Sequence, residues 1–185
     1  MKSKQANTRP ASKPLLPQAS RDHLQGPIDA PAALVEYGDY ECPYCGEAYP
    51  IIKAIQERLG DRLCFVFRNF PLVNAHSHAQ HAAEAAEAAG VQGKFWEMHD
   101  LLFENQNALD DEDLTQYATA LGLDGRRLIG EVVAGTYAGR VREDFRSGAR
   151  GGVNGTPMFF INGVPYDGEP GVNALLAALA QPKAR

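Results

Sequence analysis

Apolar residues alternate along the chain between short continuous runs and longer stripes of helical period, and this alternation predicts the elements. Ala33 to Tyr37 reads as a strand, and Gly38-Asp39-Tyr40-Glu41 breaks its period. From Gly46 to Leu59 the residues Ile51, Ile52, Ile55 and Leu59 recur at helical spacing, with Gly60 as a stop and Pro50 expected to kink the helix. Leu63 to Phe67 is almost wholly apolar, as suits a strand covered on both faces of a parallel sheet. A crossover of this length is right-handed in nearly all proteins, so the two strands should be parallel neighbours.

Helical periods then dominate. Ser77 to Ala89 is read as a helix with a Ser77/Gln80 capping box, closed by Gly90. Lys94 to Asn105, Asp111 to Leu121, Arg126 to Ala134 and Tyr137 to about Ser147 follow as further helices. Met158 to Ile161, Asn162-Gly163 and Val164 to Asp167 predict a hairpin, because both central residues of a type I′ turn need positive φ. Pro165 places its second strand at a sheet edge. A last helix runs from about Gly171 to Ala180. The order is βαβ, an all-helical block, then ββα.

With 185 residues and 44% hydrophobic content the chain can bury a core without disulfide staples. Its net charge of −5 and lack of Lys/Arg runs argue against a nucleic-acid groove. No stretch reaches the ~20 apolar residues of a membrane span. Leu15-Leu16 between prolines is too short for an export signal, so a cytoplasmic protein with no membrane partner is expected. The segment to about Ser20, rich in Pro, Ser, Lys and Gln, is expected to be a flexible tail.

Cys42 and Cys45 form a C-x-x-C pair at the carboxyl end of the first strand, where open α/β sheets carry their chemistry. Pro43 suits the first helical position, which makes Cys42 the cap-side residue, its sulfur facing free N–H groups and the positive end of the helix dipole. The dipole is worth only about 0.3–1 kcal/mol, so a strongly ionised Cys42 also needs direct donors. The N–H groups of Tyr44 and Cys45 and the Cys45 thiol are within reach. Cys42 is accordingly assigned as nucleophile and Cys45 as resolving thiol of a dithiol–disulfide cycle. Two alternatives stand beside this. The pair could be half of a zinc site completed by His76, His78 and His81, although a whole helix and strand intervene, or it could be two inert core cysteines. No metal is expected. Cys64, His99 and Trp96 read as core residues.

Several blocks together resemble the thioredoxin superfamily, specifically its DsbA-like branch, in which a helical subdomain is inserted into the thioredoxin fold. They are Val35 to Gly46, Phe67-Arg68-Asn69-Phe70-Pro71-Leu72, Lys94-Phe95-Trp96-Glu97-Met98-His99 and Gly152-Val153-Asn154-Gly155-Thr156-Pro157. The resemblance covers about residues 22–180 and implies an α/β thioredoxin-like fold: a tail at 1–20, a βαβ half at 21–75, the helical insertion at 76–151, a ββα half at 152–181 and a tail at 182–185.

It further implies that Pro157 is the family's cis-proline. With Gly155, Thr156, Pro43 and Tyr44 it would shape the site for an extended substrate; an ordinary trans proline opening an edge strand is the plain reading of the residues alone. Glu36 matches a buried acidic residue that would relay the Cys45 proton, against a solvent-facing edge position. The implied activity is thiol-disulfide exchange on protein or small-molecule disulfides, with reduction or exchange favoured over oxidative folding in a reducing cytoplasm. Pro43-Tyr44 departs from the Pro-His of the branch's periplasmic oxidant and equals the glutaredoxin pair, which leaves the direction open. No bound cofactor is implied beyond a redox-active Cys42–Cys45 disulfide, recycled by glutathione or a thioredoxin system, in a monomer or weak homodimer. The rival readings are a non-catalytic redox-sensing or peptide-binding module on the same fold, and an isomerase or glutathione-transferase type of enzyme with a single nucleophilic position.

Overall fold

The structure, a computed structural model, describes residues 15–181. Five strands form one sheet in the order β1-β3-β2-β4-β5. They are β1 (Leu24–Gln25), β2 (Ala32–Gly38), β3 (Leu63–Asn69), β4 (Met158–Ile161) and β5 (Val164–Tyr166). Among the described residues seven α-helices accompany them: α1 (Pro43–Leu59), α2 (Ala79–Val91), α3 (Phe95–Glu104), α4 (Asp111–Ala120), α5 (Gly125–Val133), α6 (Ala138–Gly151) and α7 (Val172–Leu179). β2 and β3 pair in parallel with Val35 opposite Val66, and β4 lies antiparallel on the other side of β2 with Glu36 opposite Phe159. The α/β thioredoxin-like architecture with a helical insertion between β3 and β4 is thus present.

Burial on both sheet faces follows from the near-continuous apolar sequence of the central strands. Leu34, Phe65, Phe67 and Phe159 belong to the larger core with α1, α3 and α7, while Val35, Tyr37, Val66 and Phe160 pack with Phe70 and Val153 on the other face. Alternation along β2 puts Glu36 on the face of Leu34, the face covered by α1. The hairpin turn forms as expected, Asn162 and Gly163 having φ of 50° and 84°. Pro165 lies on β5 at the sheet edge, where the missing N–H costs no ladder bond.

Pro50 lies inside α1, which continues through it, at an exposed position. Three local expectations need correction. The Ser77/Gln80 capping box is not formed: α2 begins at Ala79, and the backbone N–H of His78 is taken by the Glu41 carboxylate at 2.6 Å. Gly90 does not close α2 either, since the turn is made by Gly93 at φ 75°. The third concerns the tail expected to span residues 1–20. From Leu15 onward the chain is held: the Leu15 N–H donates to the Gly163 carbonyl, and Arg68 donates to the Leu16 carbonyl. Residues 1–14 and 182–185 lie outside the described residues.

A buried polar cluster fixes this N-terminal segment. Arg68 of β3 is fully buried and pairs with Asp22 through Nε and Nη2 at 3.0 and 2.8 Å, while its Nη1 donates to the Tyr37 hydroxyl. A guanidinium in this position is tolerable because nearly all its donors are used.

Candidate active site

β2 ends at Gly38, and the following turn delivers Cys42 to the start of α1. The Cys42 N–H donates to the Asp39 carbonyl, and its own carbonyl accepts from the N–H groups of Cys45 and Gly46. Pro43 occupies the first helical turn, and Cys42, the cap residue, has extended backbone angles. No first-turn N–H closes a full capping bond to the sulfur. Those of Cys45 and Tyr44 act as dipoles aimed at it.

The two thiols share one helical turn and have opposite tendencies. Cys42 is pulled down from 9.0 to about 5, chiefly because the Cys45 thiol donates to its sulfur. Partial burial opposes this, and the Thr156 side chain and the two N–H groups assist. The Thr156 hydroxyl has no other partner, so it is available as donor to the thiolate. In the protonated state the Cys42 thiol instead donates to the Thr156 carbonyl, 3.4 Å away. Cys45 is fully buried, and burial, its bond to Cys42 and the nearby Glu36 charge hold its proton far more tightly than in a free thiol. Its sulfur accepts from the Asp39 N–H at 3.5 Å.

Glu36 is 3% exposed in the middle of the sheet, so the solvent-facing alternative does not hold. Burial first, and then the charge of Cys42, raise its carboxyl from 4.5 to about 8. The bond between Thr156 and Pro157 is cis. Tyr44 is 68% exposed. It lines a groove of about 540 Å³ together with Gly155, Thr156 and Pro157, whereas Pro43 lines a second cleft on the side of Glu41. The residues assigned to substrate binding therefore fall on both sides of Cys42.

Two supports of the site went unforeseen in the sequence. Gln106, in the α3–α4 connection, donates through its amide to the Tyr40 and Cys42 carbonyls at 2.8 and 2.9 Å. A Cβ on Gly46 would stand 2.0 Å from the Gln106 side-chain oxygen, which explains the glycine directly after Cys45. We expect Gln106→Ala to cost about 1–3 kcal/mol in urea unfolding, since both carbonyls lose a partner. Gly46→Ala should reproduce that loss by displacing the amide; a neutral result for both would show that the clamp does not hold the turn.

The second support is Asp39, whose carboxylate accepts from the N–H groups of Glu41 and Leu72 and pairs with His76 Nδ1 at 2.8 Å. Burial works against the His76 proton, but the Asp39 carboxylate outweighs it and raises the His76 pKa. The three histidines considered for zinc each face a different carboxylate: His76 with Asp39, His78 with Glu41, His81 with Asp111. They do not converge on the cysteines. His99 is buried and held neutral, pushed down to about 3 by burial, with Nδ1 3.1 Å from the Tyr40 hydroxyl. Cys64 is buried in β3.

The sequence matches the family model described as thioredoxin over residues 18–181. It is 48% identical over 161 residues to the Na(+)/H(+) antiporter NhaA 1 of Salinispora arenicola, an alignment covering 86% of this chain and 24% of that protein. The chain thus spans about a quarter of the length of the curated relatives it matches, and the transport activity in their name is said of those whole proteins. Among solved structures, oxidised BdbD from Bacillus subtilis superposes with a TM-score of 0.80 at 23% identity, covering 91% of this chain and 95% of that one. Wolbachia pipientis alpha-DsbA1 does so with a TM-score of 0.75 at 19% identity, covering 89% and 92%.

Proposed function

This chain belongs to the thioredoxin family and has the fold of its DsbA-like thiol-disulfide oxidoreductases, and from that premise we propose that it is an enzyme of thiol-disulfide exchange working through Cys42 and Cys45. The observation that carries the reading is the placement of Cys42 at the start of α1 beside the cis Thr156–Pro157 bond, with Cys45 buried one turn further on. The Cys42 thiolate attacks one sulfur of a substrate disulfide, forming a Cys42–substrate disulfide and releasing the other sulfur as thiolate. Cys45 then loses its proton and attacks the Cys42 sulfur. The second substrate thiolate leaves, and the protein holds a Cys42–Cys45 disulfide. Two electrons have passed to the substrate, and the pair itself is the carrier, with no bound cofactor required. Re-reduction needs a dithiol or low-molecular-weight thiol donor of the thioredoxin or glutathione kind.

Glu36 fits the resolving step. While Cys42 is a thiolate, its charge adds to burial in keeping the Glu36 carboxyl protonated. Once Cys42 is tied up in a neutral mixed disulfide that contribution vanishes, the carboxyl ionises more readily, and it becomes a base for the Cys45 proton when one is needed. Glu36→Gln should slow resolution about tenfold and leave the capture step unchanged. Rapid-mixing kinetics with a fluorescent mixed disulfide separate the two steps; equal slowing of both would remove Glu36 from the relay.

An ionised Cys42 stabilises the dithiol form, which makes the protein a weaker reductant than an unperturbed dithiol. In a reducing cytoplasm, the setting of this proposal, its natural targets are strained or exposed disulfides of high potential rather than stable structural ones. The test is turnover of insulin or a peptide disulfide with a glutathione- or thioredoxin-coupled donor system. Binding without turnover would make the chain a redox-sensing or peptide-binding module.

A further inference from the structure

Two clefts flank Cys42, and their chemistry discriminates between disulfide substrates. The larger, about 540 Å³, has an apolar floor from Ala48 and Ile51 of α1 and Pro157 and Met158 of the β4 side. Tyr44 and Tyr166 are also among its lining residues. Its charged lining residues are Glu47 and Asp167, both exposed and in no ion pair among the described residues. The second cleft, about 400 Å³, carries Glu41, Asp110 and Asp113, and its one cationic candidate, His78, already faces Glu41. Among the described residues, neither cleft is lined by a lysine or an arginine.

Resting on the exchange reading above, we propose that the site selects disulfides carried on extended polypeptide segments with Lys or Arg beside the cysteine, and disfavours anionic low-molecular-weight disulfides such as glutathione disulfide. A lysine or arginine stem covers an apolar floor while its head reaches a carboxylate, and a tyrosine face adds attraction for the cation. The carboxylates of glutathione would need cationic or N–H partners. Here they meet like charge, and that repulsion acts over a Debye length of about 8–10 Å at moderate salt. An extended peptide also covers the floor on the Thr156 side, which a tripeptide thiol does so only in part.

The test uses three peptide disulfides identical except for Lys, Gln or Glu on both sides of the cysteine, together with glutathione disulfide. The second-order rate of reduction is measured at low and high salt. Each rate is divided by that of dithiothreitol on the same compound, which removes differences in the leaving thiol. The expected order is Lys, Gln, Glu, with at least about a tenfold span between the ends at low salt, shrinking at high salt. Glutathione disulfide should fall with the Glu peptide. E47K/D167K should compress or invert the order. Equal normalised rates at low salt overturn the selectivity and leave the exchange reading intact, as would a span that ignores salt. Absence of reduction of every compound overturns both.

Discussion

Cys42→Ser is expected to reduce turnover by at least about a thousandfold, and Cys45→Ser to stall the enzyme in a different place. The serine hydroxyl at position 42 would have no comparable ionisation near neutral pH, so no mixed disulfide forms. With Cys45 replaced, Cys42 still captures substrate, but no thiol remains in the same turn to expel it. Mixed disulfides through Cys42 should then accumulate in cells, visible as adducts on non-reducing gels and identifiable by mass spectrometry. Capture should persist, because the serine hydroxyl can donate to the Cys42 anion where the Cys45 thiol did, and Thr156 and the two N–H groups remain. Unimpaired turnover of Cys45→Ser would instead point to an enzyme of the glutathione-transferase kind with one working cysteine. Absence of adducts together with absence of turnover would remove Cys42 as nucleophile. The adducts of Cys45→Ser also examine the charge selection directly, since captured cysteines should be flanked by Lys or Arg more often than cysteines at large.

What the sequence made legible is what short-range physics determines. The C-x-x-C turn could be placed because strand, break, proline and helical stripe follow one another within a few residues, and the Asn162-Gly163 hairpin because only a few residue types take two consecutive positive φ values. The parts that escaped are joined across long stretches of chain. Gln106 reaches Cys42 from the helical insertion, and nothing near Gln106 in sequence marks it out. Asp39 looked like a strand breaker, yet its carboxylate gathers Glu41, Leu72 and His76 around the turn that bears the cysteines. The Ser77 capping box obeyed every local rule, yet α2 starts only at Ala79 with no side-chain cap, while a carboxylate from Glu41, far away in sequence, holds the His78 N–H at its entry. Arg68 was expected just past the strand that in fact includes it, and nothing in the sequence could name its buried partner Asp22. Glu36 lies between these cases: its interruption of an apolar run was visible, and the choice between solvent edge and core depended on β4 returning to cover β2.

Alkylation of Cys42 should be nearly independent of pH down to about 5 and fall about tenfold per unit below it. The magnitude at neutral pH needs care, because two effects oppose. With Cys42 at about 5, ionisation at pH 7 is about a hundredfold more complete than for a thiol near 9. Intrinsic nucleophilicity falls by a Brønsted factor of about 0.4–0.5 per unit, or roughly 40- to 100-fold over the same shift. At pH 7 the two nearly cancel, so Cys42 should be no faster than an ordinary exposed cysteine toward iodoacetamide. The difference appears between pH 7 and 5, where an ordinary thiol loses about a hundredfold in rate and Cys42 only about twofold.

The same ionisation governs the equilibrium. A depressed thiol pKa stabilises the folded dithiol form fully above the unfolded value near 9, and that contribution is lost as pH falls through about 5. At pH 7 it raises the reduction potential by up to about 60 mV, less where water screens the outer side of the sulfur. Glu36 acts with the opposite sign, its raised pKa costing stability as pH rises from 4.5 to about 8. Its burial contribution is common to the dithiol and disulfide forms and largely drops out of their difference. The dithiol form should therefore lose thermal stability relative to the disulfide form between pH 7 and pH 4. A constant gap over that range, or an alkylation midpoint near 8 to 9, would mean that Cys42 is an ordinary thiol and that the helix start does not activate it.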